Sequence, residues 1–304
     1  MMKVIWILVL LSQFFLQTNC FAPPLVGSIS VPPYAKYEDP TRKTSRSASM
    51  SKGIKPPEKL FPPLSKAEIM DLLDTVPVYA ITETGEQQDQ GLVLLKEPNN
   101  PNDLAYFFFS AETANEVFAP IRLKKPDASW AVTEYRLGIV WFELFKDPEP
   151  GIEYRFIPDG QNLGGARQLI EEQSKQLGAI TPDVFQMAYN EIPVFIDQFL
   201  RIQTPDGDEK FPLYLGIQDM ITTCQQAAAS SSSSASGGGV YEAAVNVADL
   251  DTLLTQMQSE SDNDFRKAML IPPSSTGSRT TSLKFSYNPD VPLSTPTAID
   301  LWDD

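Results

Sequence analysis

The chain of 304 residues contains no histidine. Without imidazole there is no Ser-His-Asp or Cys-His nucleophile system and no His-ligated metal site. The two thiols are Cys20 and Cys224. If Cys20 leaves with an N-terminal signal, no intrachain disulfide can form. Cys224 lies in an apolar helical stretch and reads as a buried small hydrophobe rather than a nucleophile. Asn162-Leu-Gly-Gly165 opens a helix, where anions bind well, but lacks the Lys-Ser/Thr ending of a phosphate loop and the spacing of a dinucleotide fingerprint. Asp206-Gly-Asp-Glu209 is shorter than an EF-hand loop and fits a hairpin turn. Glu171 and Glu172 are helical neighbours, which do not share a face for acid/base work. No catalytic residue, cofactor or metal ligand is assigned.

The informative side chains are apolar. Read as a strand, Gly138-Ile-Val-Trp-Phe-Glu-Leu-Phe145 places Val140, Phe142 and Leu144 on one face. Ile139, Trp141, Glu143 and Phe145 take the other. Glu143 marks that second face as the less covered one, so Trp141 and Phe145 are the candidate substrate-binding residues. The alternative is that a helix covers them.

The elements around this segment are layered α/β. Ser65 with Glu68 forms a capping box, followed by an Ile69, Leu72, Leu73 stripe. Val76-Pro-Val-Tyr-Ala-Ile81, Gly91 to Leu95 and Ala105 to Phe109 are apolar at odd and even positions, as strands buried on both faces are. Ser110 caps a helix through Phe118. A hairpin is expected between 138–145 and Ile152 to Ile157 across Asp147-Pro-Glu-Pro-Gly151. A helix capped by Asn162 and stopped by Gly178 follows.

A similar phrase then restarts. Thr181-Pro182 predicts a helix carrying Val184, Phe185 and Ala188. Ile192-Pro-Val-Phe195 echoes Val76-Pro-Val-Tyr79. The strand 199–203 turns at Pro205-Asp-Gly207, Phe211 to Leu215 returns, and 218–226 is helical. We read the body as an internal duplication in a pseudo-two-fold arrangement of helix-strand-hairpin units, about 64–121 and 181–226. Residues 227–239, rich in Ala, Ser and Gly, are expected to be a flexible insert. Within 240–273, a strand at 240–247, a helix at 249–257 with Leu250, Leu253, Leu254 and Met257 on one side, and an extended Leu270-Ile-Pro-Pro273 complete the body. Residues 274–304 are polar, Pro-dotted and acidic at the end, and are expected to be a disordered tail.

Formal net charge is −15. Residues 1–60 are net +5, so residues 61–304 are net −20. A body this acidic repels phosphate backbones and anionic lipid, which excludes nucleic acid and leaves at most peripheral membrane association. Lys3 followed by Val4 to Leu11 fits a signal peptide over 1–20 and is too short to span a bilayer. Residues 21–63 hold nine prolines and the basic Thr41 to Ser49 stretch. That segment resembles a transit peptide and, behind a signal peptide, the bipartite presequence of algae with secondary plastids. An ordinary disordered linker is the alternative.

Val76-Pro-Val-Tyr79, Ala105 to Phe109 before a helix, Gly138-Ile-Val-Trp-Phe142, Tyr154-Arg-Phe-Ile-Pro-Asp159, Ile192-Pro-Val-Phe195, Val245 to Leu250 and Leu270-Ile-Pro-Pro273 occur in that order. Together they resemble the 22-kilodalton subunit family of the chloroplast inner-envelope translocon, over about 64–273. The resemblance implies a duplicated α/β fold and a non-enzymatic, chaperone-like role binding plastid preproteins and their transit peptides in the intermembrane space. It implies outer- and inner-envelope translocon subunits as partners, and no catalytic residues. The competing reading is a plastid or secreted enzyme using carboxylates only, which would need two carboxylates converging in a pocket.

Overall fold

The computed structural model describes residues 60–84, 90–97, 100–124, 126, 129–177, 183–233, 244–274 and 284–287. The expected signal peptide, and all of the transit-like segment before residue 60, lie outside these residues.

Among the described residues the first sheet has six strands. Helix α1 (Lys66–Leu73) begins at the Ser65/Glu68 capping box and buries Ile69 and Leu73. Strand β1 (Pro77–Thr84) follows with Pro77 first, where a missing N–H is tolerated. Strands β2 (Gln90–Leu92) and β3 (Leu95–Lys96) form a short meander before β4 (Asp103–Phe108). The meander is half-buried to exposed, not buried on both faces as its apolar sequence suggests. Helix α2 (Ala111–Lys124) starts behind Ser110, whose Oγ accepts from Thr113 N at 3.3 Å. Strand β5 (Trp130–Arg136) then pairs antiparallel with β1 from Pro77↔Arg136 to Glu83↔Trp130.

Residues 138–145 are not a strand. Helix α3 starts as an α-helical turn, Leu137–Ile139, and continues as a π-helix, Val140–Phe145. The 138–157 hairpin is therefore corrected: β6 (Ile152–Ile157) pairs in parallel with β4, and α3 is part of the crossover between β5 and β6. Gly138 permits this packing. A Cβ there would lie 2.5 Å from Asp74 Oδ1 and 2.6 Å from Met70 O, so α3 crosses α1 at backbone distance.

Helix α4 (Gly160–Leu177) is capped by Asp159, which accepts from Gln161 N and Asn162 N; Asn162 is not the cap. The helix expected at 181–188 is also corrected. Residues 183–190 are irregular, with Phe185 and Asn190 at φ 60° and 65°, a sign no right-handed helix allows.

The second sheet contains β7 (Pro193–Asp197), β8 (Leu200–Gln203), β9 (Glu209–Tyr214), β10 (Val245–Asp249), β11 (Ala268–Ile271) and β12 (Lys284–Tyr287). The β8–β9 turn uses Gly207 at φ 87°. Helix α5 (Ile217–Ser233) enters the expected flexible insert as far as Ser233, and the rest of that insert, 234–239, lies outside the described residues. Helix α6 (Leu250–Met257) has Asp249 as its N-cap and buries Leu250, Leu253, Leu254 and Met257 as expected. Strand β12 pairs with β8 inside the expected disordered tail.

The pairings follow one order in both sheets. β5–β1–β4–β6 in the first corresponds to β10–β7–β9–β11 in the second, with the last pair parallel in each. Leu137 N donates to Val76 O and Leu250 N to Ile192 O, beside the two Pro-Val phrases. These correspondences span 77–157 and 193–271, beyond the boundaries 64–121 and 181–226 read from sequence.

Three cores result. Val78, Ala80, Phe107 and Phe156 join Val194, Leu213 and Leu270 with helices α1, α3 and α6 in one central core. Tyr79, Ile81, Phe108 and Ile157 pack under α2, and Phe195, Leu200 and Tyr214 under α4 and α5. Both sheets are covered on both faces, as apolar strands of this kind require.

Candidate functional site

The aromatic cluster on α3 is built by the π-helix. Its wider turn bonds Lys146 N to Trp141 O at 2.9 Å, five residues back. Trp141 and Phe145 become neighbours, centroids 5.0 Å apart. Both rest on Phe156 of β6: Trp141 stacks at 5.4 Å and Phe145 meets it edge-on at 5.1 Å. Trp141 is 1% exposed. The partly exposed face expected for it is corrected, because the segment is a helix and turns that side chain into the central core. Phe145 is half-buried, beside exposed Glu143 and Lys146.

Lys146 Nζ sits 5.4 Å from the Trp141 centroid and 5.5 Å from that of Phe145, and bonds Asp251 Oδ1 of α6 at 2.6 Å. Lys66 of α1 lies 5.1 Å over half-buried Phe142. The α3 margin thus sets half-buried Phe142 and Phe145 beside Lys66, Lys146 and exposed Glu143.

A second constellation surrounds Arg155, which the sequence reading passed over. Its guanidinium bonds Glu153 at 2.5 Å and Glu97 at 3.2 Å, and stacks 4.2 Å from the Tyr189 ring. Asn100 Nδ2 donates to Glu153 Oε2 at 2.9 Å. Burial works against the Glu153 charge, but the bonds from Arg155 and Asn100 prevail and hold its carboxyl below the usual range. Burial raises the Tyr106 hydroxyl, which also lies near Arg155. The cluster binds the 97–103 connection, β6 and the 183–190 segment together. An arginine set between apolar strand residues was the signal available in Tyr154-Arg-Phe156.

The remaining candidates resolve structurally. Cys224 is buried, with its Sγ 3.9 Å from Asp197 Oδ2. Asn162 Oδ1 accepts from Ile217 N at 3.0 Å and ties α4 to α5. Asp206 lies in the β8–β9 turn. Among the described residues, no group of three His, Cys, Asp or Glu is placed to hold a metal, and no helix is long and apolar enough to cross a membrane.

No curated protein matches this chain. Solved structures that share its fold include two Tic22 proteins. Tic22 of Anabaena, a protein-transport protein, is 22% identical with a TM-score of 0.53, covering 69% of this chain and 93% of that one. Tic22 from Plasmodium falciparum is 17% identical with a TM-score of 0.50, over the same shares of the two chains. The Tic22-like family model matches residues 10–282, and on that extent the chain belongs to the Tic22-like family.

Proposed function

We propose that this chain is a non-enzymatic, chaperone-like component of plastid protein import that binds preproteins in the envelope intermembrane space. The observation that carries the reading is the Tic22-like family match over residues 10–282. The protein-transport role of the Anabaena relative agrees with it. The net −20 of residues 61–304 favours encounter with basic transit peptides, an attraction screened beyond about 8–10 Å at physiological salt. Outer- and inner-envelope translocon subunits are the proposed partners. Phe145, half-buried at the α3 margin, is the aromatic proposed to meet preprotein segments, and Trp141 supports it from beneath.

A fluorescent fusion of residues 1–70 tests the compartment: delivery to the plastid envelope is expected, and routing elsewhere would remove the import role. Site-directed photocrosslinking during import, from a probe replacing Phe145, is expected to capture the translocating preprotein.

A further inference from the structure

We propose that the outer edge of β5 receives an extended, basic segment of a preprotein as an added strand. This rests on the preprotein-binding reading above and names the surface that would serve it.

Backbone phase shows which groups of β5 face outward. Leu137 N donates to Val76 O, and Thr82 Oγ1 donates to Ala131 O. Ile81 O accepts from Val93 N at 2.9 Å on the far side of β1, so Ile81 and its partner Val132 do not bond each other. In an antiparallel ladder these roles alternate. Ala131, Thr133 and Tyr135 therefore bond β1, while Val132 and Glu134 direct N–H and C=O away from the sheet. No strand among the described residues pairs with that side of β5.

Two comparable edges carry a side-chain bond to their outward groups. On β6, Phe156 N donates to Asn190 Oδ1 and Phe156 O accepts from Asn190 N, both at 2.8 Å. On β10, the counterpart of β5, Val245 O accepts from Gln173 Nε2 at 2.8 Å. Among the described residues, strand β5 has no proline, no lysine and no bulge: Trp130-Ala-Val-Thr-Glu-Tyr-Arg136 keeps an unbroken ladder over seven residues, and Glu134 and Arg136 are its charged side chains. An exposed strand of this kind is a template for an extended guest, whose main chain supplies the hydrogen bonds.

Charge selects the guest. Two copies of a body that is net −20 repel, whereas a basic segment is attracted. Glu134 and Glu83, both exposed, stand on β5 and on β1 beside it. Alternate side chains of the guest would extend the apolar face formed by Val132 under α2, whose last turn carries Leu123 at 83% exposure.

The test is residue-resolved hydrogen exchange of the full chain with and without a Lys/Arg-rich synthetic transit peptide. It is paired with titration of Glu134→Pro, which removes one outward donor and leaves the β1 ladder intact. The expected result is new protection at Val132 and Glu134 on peptide binding and about tenfold weaker binding by Glu134→Pro. Peptide binding by the unmutated chain without protection at those amides overturns the edge site and leaves the import reading standing. No peptide binding by the unmutated chain overturns the preprotein-binding reading and this proposal with it. Protection that appears on raising protein concentration alone identifies a second copy as the guest and overturns the proposal. If circular dichroism shows that Glu134→Pro does not fold, exchange on the unmutated chain decides.

Discussion

Asn190 closes the edge of β6 by exchanging two 2.8 Å hydrogen bonds with Phe156 through its side-chain carbonyl and its own N–H. It does so at φ 65°, a conformation asparagine tolerates and alanine resists. Asn190→Ala is expected to cost about 2 kcal/mol from the lost bond and the backbone strain together. Asn190→Gly, which keeps the main-chain bond to Phe156 O and adopts this φ without strain, should cost less. Urea denaturation of the three proteins checks the order.

Trp141 and Phe145 should separate structure from binding. Trp141→Ala opens a cavity over Phe156 and is expected to destabilise by about 3–5 kcal/mol. Phe145→Ala removes a half-buried ring at the margin and should leave the fold intact while weakening transit-peptide binding severalfold. Thermal unfolding and peptide titration distinguish them. A fully stable Trp141→Ala protein would contradict the packing described.

The Arg155 cluster predicts an acid limb in stability. The folded Glu153 carboxyl lies below its usual range, so its stabilising contribution is present above the unfolded carboxylate range and is lost as pH falls through the folded value. Glu153→Gln should flatten that limb. Arg155→Met should be worse at neutral pH, by about 2–4 kcal/mol, because Glu97 and Glu153 would keep charges without their partner. Denaturation midpoints between pH 7 and pH 3 read both effects.

Asp249 has the opposite sign. Burial pushes its carboxyl up, against the bonds it accepts from Thr252, Ile192 and Asp251. A raised folded value means a contribution fully present below the unfolded range and diminished as pH rises through the folded one. The stability gap between the unmutated chain and Asp249→Ala should therefore widen as pH falls from 7 into the carboxylate range. Paired urea titrations at pH 7 and pH 4 measure it, and a constant gap would refute the assignment.

Much of the layered architecture was legible along the chain. The Ser65 box, the strands at the Val76-Pro77 and Ile192-Pro193 phrases, the Gly207 turn and the Leu250/Leu253/Leu254/Met257 stripe all rest on local preferences: caps, apolar runs, positive φ and periodicity. So does the two-sided burial of β1 and β4, which shows as uninterrupted apolar runs. The family resemblance used the same short phrases in order.

What local preference could not settle was the state of segments whose residues serve equally well in two conformations. Gly138 to Phe145 alternates as a strand would and is rich in residues that favour strands. Yet β5 already occupies the edge of β1 and β6 pairs with β4, so 137–145 becomes part of a crossover helix packed against α1. That alone turned Trp141 inward. At 183–190 the opposite happened: a good helix start was overridden by Arg167 gripping the Phe185 and Gln186 carbonyls and by Asn190 bonding to Phe156. Tertiary hydrogen bonds and strand pairing between distant residues made these choices, because neither their partners nor their geometry is encoded within the segment itself.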